Sequence, residues 1–298
     1  MTAEESGTDQ PEALASLLRT MDLRELGQDD RGQDLFEGDS QQQPHGRVFG
    51  GQVLGQTLVA AARTVQEGRS VHSMHGYFLR PGDSAEPIQF AVERLRDGRS
   101  FTARRVHALQ FGKPILSMIA SFQDSDDGYD HADPMPDVPG PDDLPTTADL
   151  LGHIDHPAAR YWSHRRPIDL RHVQAPIYLE ADPEPVARQA VWMRTVAPLP
   201  NDDLLHRAVL GYASDYTLLE SVLRRHSASW VAGVKMASLD HAMWWHRPAR
   251  VDQWLLYVQS SPSAQGGRGL GAGRIFSRDG TLVASVAQEG MIRPPRVP

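Results

Sequence analysis

The stretch TLVASVAQEGMI, residues Thr281 to Ile292, reads as a strand, and its register decides how the chain is parsed. Shifted back by 167 residues, the offset that lays Arg247-Pro248 on Arg80-Pro81 (247 minus 80), TLVASVAQE falls on PILSMIASF, Pro114 to Phe122. Ala287 then lies on Ala120 and Gln288 on Ser121. Identity along the overlay is low, but the register is consistent. Each stretch closes a series of strand-like runs. The first series is VHSMHGYFLR, IQFAVERLRD, SFTARRVHALQ and PILSMIASFQ, broken by the turn signals PGD, DGR and FGKP. The second is VKMASLDHAMWWH, QWLLYVQSS, GLGAGRIFSR and TLVASVAQEGMI.

A helix precedes each series. GGQVLGQTLVAAARTV, Gly50 to Val65, is rich in small residues that suit close packing against a sheet. The second helix starts near Asn201 or Asp202, either one an N-cap residue, and is expected to run through Asp215 to about Arg225. A helix followed by a four-stranded antiparallel meander, occurring twice, predicts an α+β fold of two similar units, each a sheet curled around its own long helix. PEALASLLRTMDL, Pro11 to Leu23, has helical spacing, while APIYLE and AVWMRTV read as strands. From Asp124 to Leu150 the chain carries nine Asp and five Pro with no Lys or Arg, a composition unable to build a core of its own. The expected divisions are a tail and short helix over 1–45, a first unit over 46–123, an acidic linker over 124–160 and a second unit over 161–293.

With 298 residues and 40% hydrophobic content the chain can bury a sizeable core. A net charge of -8 argues against a nucleic-acid partner and a basic membrane face. There is no cysteine, which rules out disulfides, thiolate metal sites and a cysteine nucleophile. MTAEESGTDQ has no apolar core of a signal peptide and no run approaches the ~18 residues of a membrane helix, so an intracellular protein is expected. Neither G-x-S-x-G nor H-E-x-x-H occurs. The glycines of GGRGLGAG, Gly266 to Gly273, lack the strand-to-helix context of a phosphate loop and instead suit bent or closely approached strands.

One residue breaks the apolar pattern of the second helix. Ala208, Tyr212, Asp215, Leu219 and Val222 follow one another at intervals of 4, 3, 4 and 3, which places all five on one stripe. A carboxylate on that stripe points inward and needs partners to offset its desolvation. Pairing with a buried arginine would satisfy it structurally; a catalytic role would use it.

The pieces FGGQVLGQ, HGYFLRPGDS, RDGRSFTARRV, GYASD, SLDHAMWWHRP, WLLYVQSS and DGTLVASVAQEG, in this order between about Val48 and Arg293, resemble the type II acyl-CoA thioesterases. The resemblance implies a double hot dog fold, with two units side by side forming one curved antiparallel sheet around two long helices. It implies hydrolysis of acyl-CoA to free acid and coenzyme A, with no metal and no organic cofactor. It also implies a homo-oligomer, dimer or tetramer, with acyl-CoA as substrate and a cytoplasmic setting. In that family a carboxylate, a Thr or Ser hydroxyl and a Gln act on a water beside the thioester. Carried over by motif, these are Asp215 of GYASD, Ser238 of SLDH and Gln288 of VAQEG, with Ser238 standing where many relatives have Thr.

At the offset of 167 (288 minus 121, 238 minus 71), Ser121 and Val71 take the places of Gln288 and Ser238, which leaves one active site per chain, in the second unit. His75 and His241 are strand histidines of a kind that more often serve structure than catalysis. Trp244 and Trp245 are candidates for an acyl channel or for core. Arg104, Arg105 and Arg268 stay unassigned as phosphate ligands. Two rival readings fit the same residues. A hot dog enoyl-CoA hydratase would want Asp-x4-His, which occurs only at Asp126 to His131 in the linker; a non-catalytic acyl-CoA-binding module would bind without turnover.

Overall fold

The computed structural model describes residues 6–295, with side chains from Glu12 onward. The ends of the chain, residues 1–5 of the tail and 296–298, lie outside the described residues. Helix α1 (Ser6–Met21) leads into strands β1 (Arg24–Gln28) and β2 (Asp34–Gly38), then α2 (Gly50–Ala62) and β3 (Ser70–Phe78), β4 (Ile88–Asp97), β5 (Phe101–Gln110) and β6 (Lys113–Gln123). Short helices α3 (Thr147–Leu151) and α4 (Pro157–Arg160) follow, then β7 (Ile168–His172), β8 (Arg188–Thr195), α5 (Asp203–Ser214) and α6 (Glu220–Arg225). The chain closes with β9 (Lys235–Ser238), β10 (Asp240–Trp245), β11 (Leu255–Gln265), β12 (Arg268–Ser277) and β13 (Leu282–Arg293).

These strands form one antiparallel sheet in the order β1-β2-β4-β5-β6-β3-β10-β13-β12-β11-β8-β7, with β9 added beside β13. Neither half is the simple four-stranded meander that chain order suggests. β3 pairs with β6, and β10 with β13, so the first strand of each series closes on the last and β3 and β10 meet at the centre. His75 pairs with Ala242 there, 167 positions apart (242 minus 75), so the approximate two-fold relating the halves passes through this seam.

Across β6 and β13 the offset grows by one. Ile119 and Ala287 occupy equivalent pairings, opposite His75 and Ala242 respectively, which gives 168 (287 minus 119). The extra residue lies in the hairpins. Gln110 and Lys113 are joined by Phe111-Gly112, both at positive φ, whereas Ser277 and Thr281 are joined by three residues ending on Gly280. A slip of one residue moves a side chain to the other face of a sheet. The mate of Gln288 is therefore Ala120, which is buried on the inner face, and not Ser121, which points outward to His72.

Most of the main core lies where the inner sheet face meets α2 and α5. These helices are in backbone contact, since a Cβ on Gly51 would collide with the Tyr212 carbonyl and one on Gly55 would lie 3.1 Å from that of Ala208. The small residues of α2 thus serve its packing on the partner helix as well as on the sheet.

Four further expectations change. Within 1–45, DLFEG alternates buried and half-buried residues and extends the sheet as β2, with β1 at the edge. APIYLE forms no strand, while IDLRH forms β7. The acidic linker contains short helices and is held by the second unit: Asp130 pairs with Arg247, Asp133 with Arg274, and Asp142 with Arg278 at 3.0 Å. The Trp192 indole donates to the Pro139 carbonyl beneath it at 2.9 Å, and Met135, Val138 and Leu144 pack on the cluster around Trp192 and Trp254. Finally, the second helix is broken after Ser214. Among the described residues no helix is long and apolar enough to cross a membrane.

Replacing Gly51 by Ala forces α2 from α5 and is expected to cost about 2 kcal/mol or more. Gly128→Ala, where a Cβ meets nothing within 4 Å, provides the neutral control in the same thermal melts. Equal melting of the two variants would refute the helix-contact argument.

Candidate active site

The break in the second helix builds the site. Asp202 caps the start of α5 by accepting from the Leu205 amide at 3.2 Å, and Asp215 is the C-cap, with φ -85 and ψ -8. Residues 215–219, Asp-Tyr-Thr-Leu-Leu, form turns before α6 resumes. Their backbone is satisfied from the sheet. The Tyr257 hydroxyl donates to the Ser214 carbonyl at 3.2 Å, and Gln189 Nε2 to the Thr217 carbonyl at 3.0 Å. Gln259 Nε2 donates to Thr217 Oγ1 at 2.6 Å. Two glycines of β12 make room, because a Cβ on Gly271 would lie 2.8 Å from the Leu218 carbonyl and one on Gly273 would strike the Tyr257 ring. The periodicity ran unbroken through this point because the turn contains neither Gly nor Pro, and its cause lies on other strands.

The structure brings Asp215, Ser238 and Gln288 together from the end of α5, from β9 and from β13. Gln288 Nε2 donates one hydrogen to Asp215 Oδ1 at 2.6 Å and the other to Ser238 Oγ at 2.7 Å. The Ser238 hydroxyl stands 3.5 Å from the same carboxylate oxygen. Gln288 is buried, while Asp215 and Ser238 keep partial access to solvent.

The other carboxylate oxygen faces the first unit. A Cβ on Gly50 would lie 2.7 Å from Asp215 Oδ2, and the backbone amide of Gly51 acts on the carboxylate to favour its charged form. This is the N-terminus of α2, whose N-cap is Phe49, with no side-chain cap and no acidic residue in the first turn. Asp215 takes the place of the missing cap. Gly51 was the functional residue the sequence reading passed over, and the available signal was a Gly-Gly helix start lacking a polar N-cap.

No ion pair involves Asp215 among the described residues. The buried arginines of this half are engaged elsewhere: Arg224 with Asp182 and Gln189, and Arg166 with Thr147 and above the Tyr216 ring at 5.4 Å. Burial therefore dominates and raises the Asp215 pKa from 3.8 to about 6, against the lowering effect of Gln288, the Gly51 amide and Ser238. Aromatic rings wall the site, with Phe49 stacked on Tyr216 at 4.5 Å and Phe78 against Gly50.

The remaining candidates fall outside this cluster, except one. His75 is exposed, edge-on to Trp244 at 5.0 Å, and Trp245 is buried. Asp126 and His131 are both exposed on the linker. Arg104 is buried against Thr64 and Asp97, whereas Arg105 and Arg268 pair with Glu93 and Glu289 at the surface. His241 alone is buried next to the cluster, its Nε2 2.9 Å from Ser214 Oγ.

Family models for "Acyl-CoA thioesterase" and "Acyl-CoA thioesterase N-terminal domain" match residues 170–291 and 39–123 respectively. The chain is 40% identical over 300 residues to human acyl-coenzyme A thioesterase 8, covering 96% of this chain and 92% of the relative. It superposes on the crystal structure of an acyl-CoA thioesterase II from Mycobacterium marinum with a TM-score of 0.76 and 44% identity, covering 94% of this chain and 98% of that one. A protein from Alicyclobacillus acidocaldarius described as having a hot dog fold superposes with a TM-score of 0.77 at 20% identity, over 94% and 99% of the two chains, which bears on the fold alone.

A carboxyl group whose pKa rises on folding from 3.8 to about 6 keeps its proton in the folded state while the unfolded chain has lost it. Stability contributed by the protonated form is complete below about pH 4 and is lost as pH rises through about 6. Asp215→Asn should therefore raise the melting temperature at pH 8 by about 2–4 °C and leave it nearly unchanged at pH 4. An equal effect at both pH values, or no gain at pH 8, would contradict the burial assigned to this carboxylate.

Proposed function

Because this chain belongs to the acyl-CoA thioesterase family, we propose that Asp215, Ser238 and Gln288 form the centre at which it hydrolyses acyl-CoA to a free carboxylic acid and coenzyme A. The observation that carries the assignment is the position of Gln288 Nε2, within hydrogen-bond reach of both other groups at 2.6 and 2.7 Å. Asp215 is the base. Ionised near neutral pH, it takes a proton from a water that attacks the thioester carbon, and a pKa near 6 makes it a stronger base than an exposed aspartate. Ser238 shares the water with the carboxylate, and Gln288 fixes both partners by donating to each.

Negative charge develops on the thioester oxygen as the water adds, and the positive end of α2, whose Gly51 amide already faces Asp215, favours charge at that place. When the carbon–sulfur bond breaks, the thiolate of coenzyme A takes a proton, for which the newly protonated Asp215 is the available source. The water route is favoured over direct attack by Asp215 because two fixed side chains beside the carboxylate serve a water, while an anhydride route has less use for both.

The equivalents of Ser238 and Gln288 in the first half are Val71 and Ala120, which supports one site per chain, within the unit proposed over 161–293. The reading includes a homo-oligomer. Tyr77, Ile119 and Trp244 are exposed on the outer face around the β3–β10 seam, an apolar surface suited to a second copy. It also keeps the cytoplasmic setting expected from the sequence.

Three measurements test the proposal. Free thiol released from acyl-CoA, followed across chain lengths, should fall by roughly 10² or more in Asp215→Asn while acyl-CoA binding persists; binding without turnover by the native enzyme would favour a binding module. A single turnover in ¹⁸O-water should place the heavy oxygen in the acid, and label in the Asp215 peptide with unlabelled acid would overturn the water route. Light scattering should give a mass above the 33.0 kDa of one chain, and a monomer would remove the oligomer from the reading.

A further inference from the structure

His241 is fully buried, and its pKa is lowered from 6.5 to about 3 by burial, so the ring is neutral and carries a single N–H. Its Nε2 lies 2.9 Å from Ser214 Oγ at the end of α5. Among the described residues its Nδ1 has no hydrogen-bond partner, and neither has the buried Oε1 of Gln288. Those side chains are neighbours: continuing the Ala242–Ala287 register by one step places His241 opposite Gln288, close enough for the Gln288 side chain to favour the protonated imidazole against the larger effect of burial. In the first half, the corresponding pair is Met74 opposite Ala120. Histidine and glutamine thus replace an apolar pair together.

The ring has two neutral tautomers. With the proton on Nε2, the imidazole donates to Ser214 and turns a bare Nδ1 toward Oε1, setting two buried acceptors face to face without a hydrogen between them. With the proton on Nδ1, the ring donates to Oε1 and Nε2 accepts the Ser214 hydroxyl, which otherwise bonds the Gly211 carbonyl at 2.9 Å. Only the second arrangement holds the Gln288 amide with its NH2 toward Asp215 and Ser238; a rotated amide would turn an oxygen on the carboxylate.

We propose that His241, as its Nδ1–H tautomer, is a positioning residue that locks the orientation of the Gln288 amide through a chain running from Ser214 through His241 and Gln288 to Asp215 and Ser238. It touches no reacting atom and acts through Gln288. The inference rests on the catalytic reading above and adds to it the device that sets the amide.

Two experiments test it. The first uses the native full-length enzyme without substrate: ¹⁵N spectra of its imidazoles, with His241 assigned by the signals missing in His241→Asn. Protonated Nδ1 is expected, and protonated Nε2 overturns the proposal whatever the catalytic roles are. The second compares variants whose folded fraction is fixed by near-ultraviolet circular dichroism. His241→Leu should lower kcat by roughly 10 to 10² through a displaced amide, with KM within about 3-fold. His241→Asn sets an amide N–H where Nδ1 stood and should recover most of that loss. Equal kcat for the Leu variant and the native enzyme, or no recovery by Asn, would overturn it. Full turnover by Asp215→Asn would instead sink the catalytic reading and leave the tautomer result standing.

Discussion

The site depends on one contact between the halves of the molecule, the carboxylate of Asp215 against the opening turn of α2. Asp215 ends α5, where the carbonyls of its own helix disfavour negative charge, and meets the start of α2, where unpaired amides favour it. Neither half alone supplies both fields. The contact also needs two helices at backbone distance, which explains glycine at Gly50, Gly51 and Gly55. It needs α5 to stop at Ser214, and the stop is held by side chains from β8 and β11 and by the glycines of β12.

The halves share a backbone plan and differ in what they put on its inner face. Equivalent pairings set Val71 against Ser238, Met74 against His241, Phe90 against Tyr257, Val92 against Gln259 and Ala120 against Gln288. Each of these five changes adds a hydrogen-bonding group in the second half. Such groups are costly when buried singly, and here most of them answer one another or the broken helix. Where Gly271 lets the break approach β12, the first half carries Arg104, packed against the end of α2 near Thr64. A duplicated fold in which one copy keeps apolar residues at these five inner-face positions can place the groups of the site in the other.

Much of this was legible in the residues, with limits that are physical. Strand runs, the two helix starts and the repeat follow from short-range patterns. The inward direction of Asp215 followed from helical spacing, since Ala208, Tyr212, Leu219 and Val222 on the same stripe are buried. The broken helix was not legible, because 3.6-residue periodicity persists across it and its cause is long-range. The overlay that put Ser121 on Gln288 failed by one position because hairpin length, which fixes register, differs between the copies. β1 and β2 were missed because strands of five residues give too few alternations to stand out. Ser238 and Gln288 were indistinguishable from ordinary strand residues by pattern, and motif resemblance alone singled them out.

What the site leaves out matters as much as what it contains. A buried arginine beside Asp215 would satisfy the carboxylate and lower its pKa, giving a stable structure with a weak base. Arg166 and Arg224, both buried in the same half, are instead held by other partners. Asp215 receives only neutral donors: an amide side chain, a hydroxyl and a backbone N–H. Neutral donors orient the charge while leaving burial as the larger influence, so the pKa settles near 6, where ionisation is nearly complete at neutral pH and basicity is still raised. The same logic applies to His241, because a protonated imidazole behind Gln288 would draw the carboxylate pKa down, and burial keeps the ring neutral. Base strength here comes from limiting compensation, and the instability of an incompletely compensated carboxylate is inseparable from it.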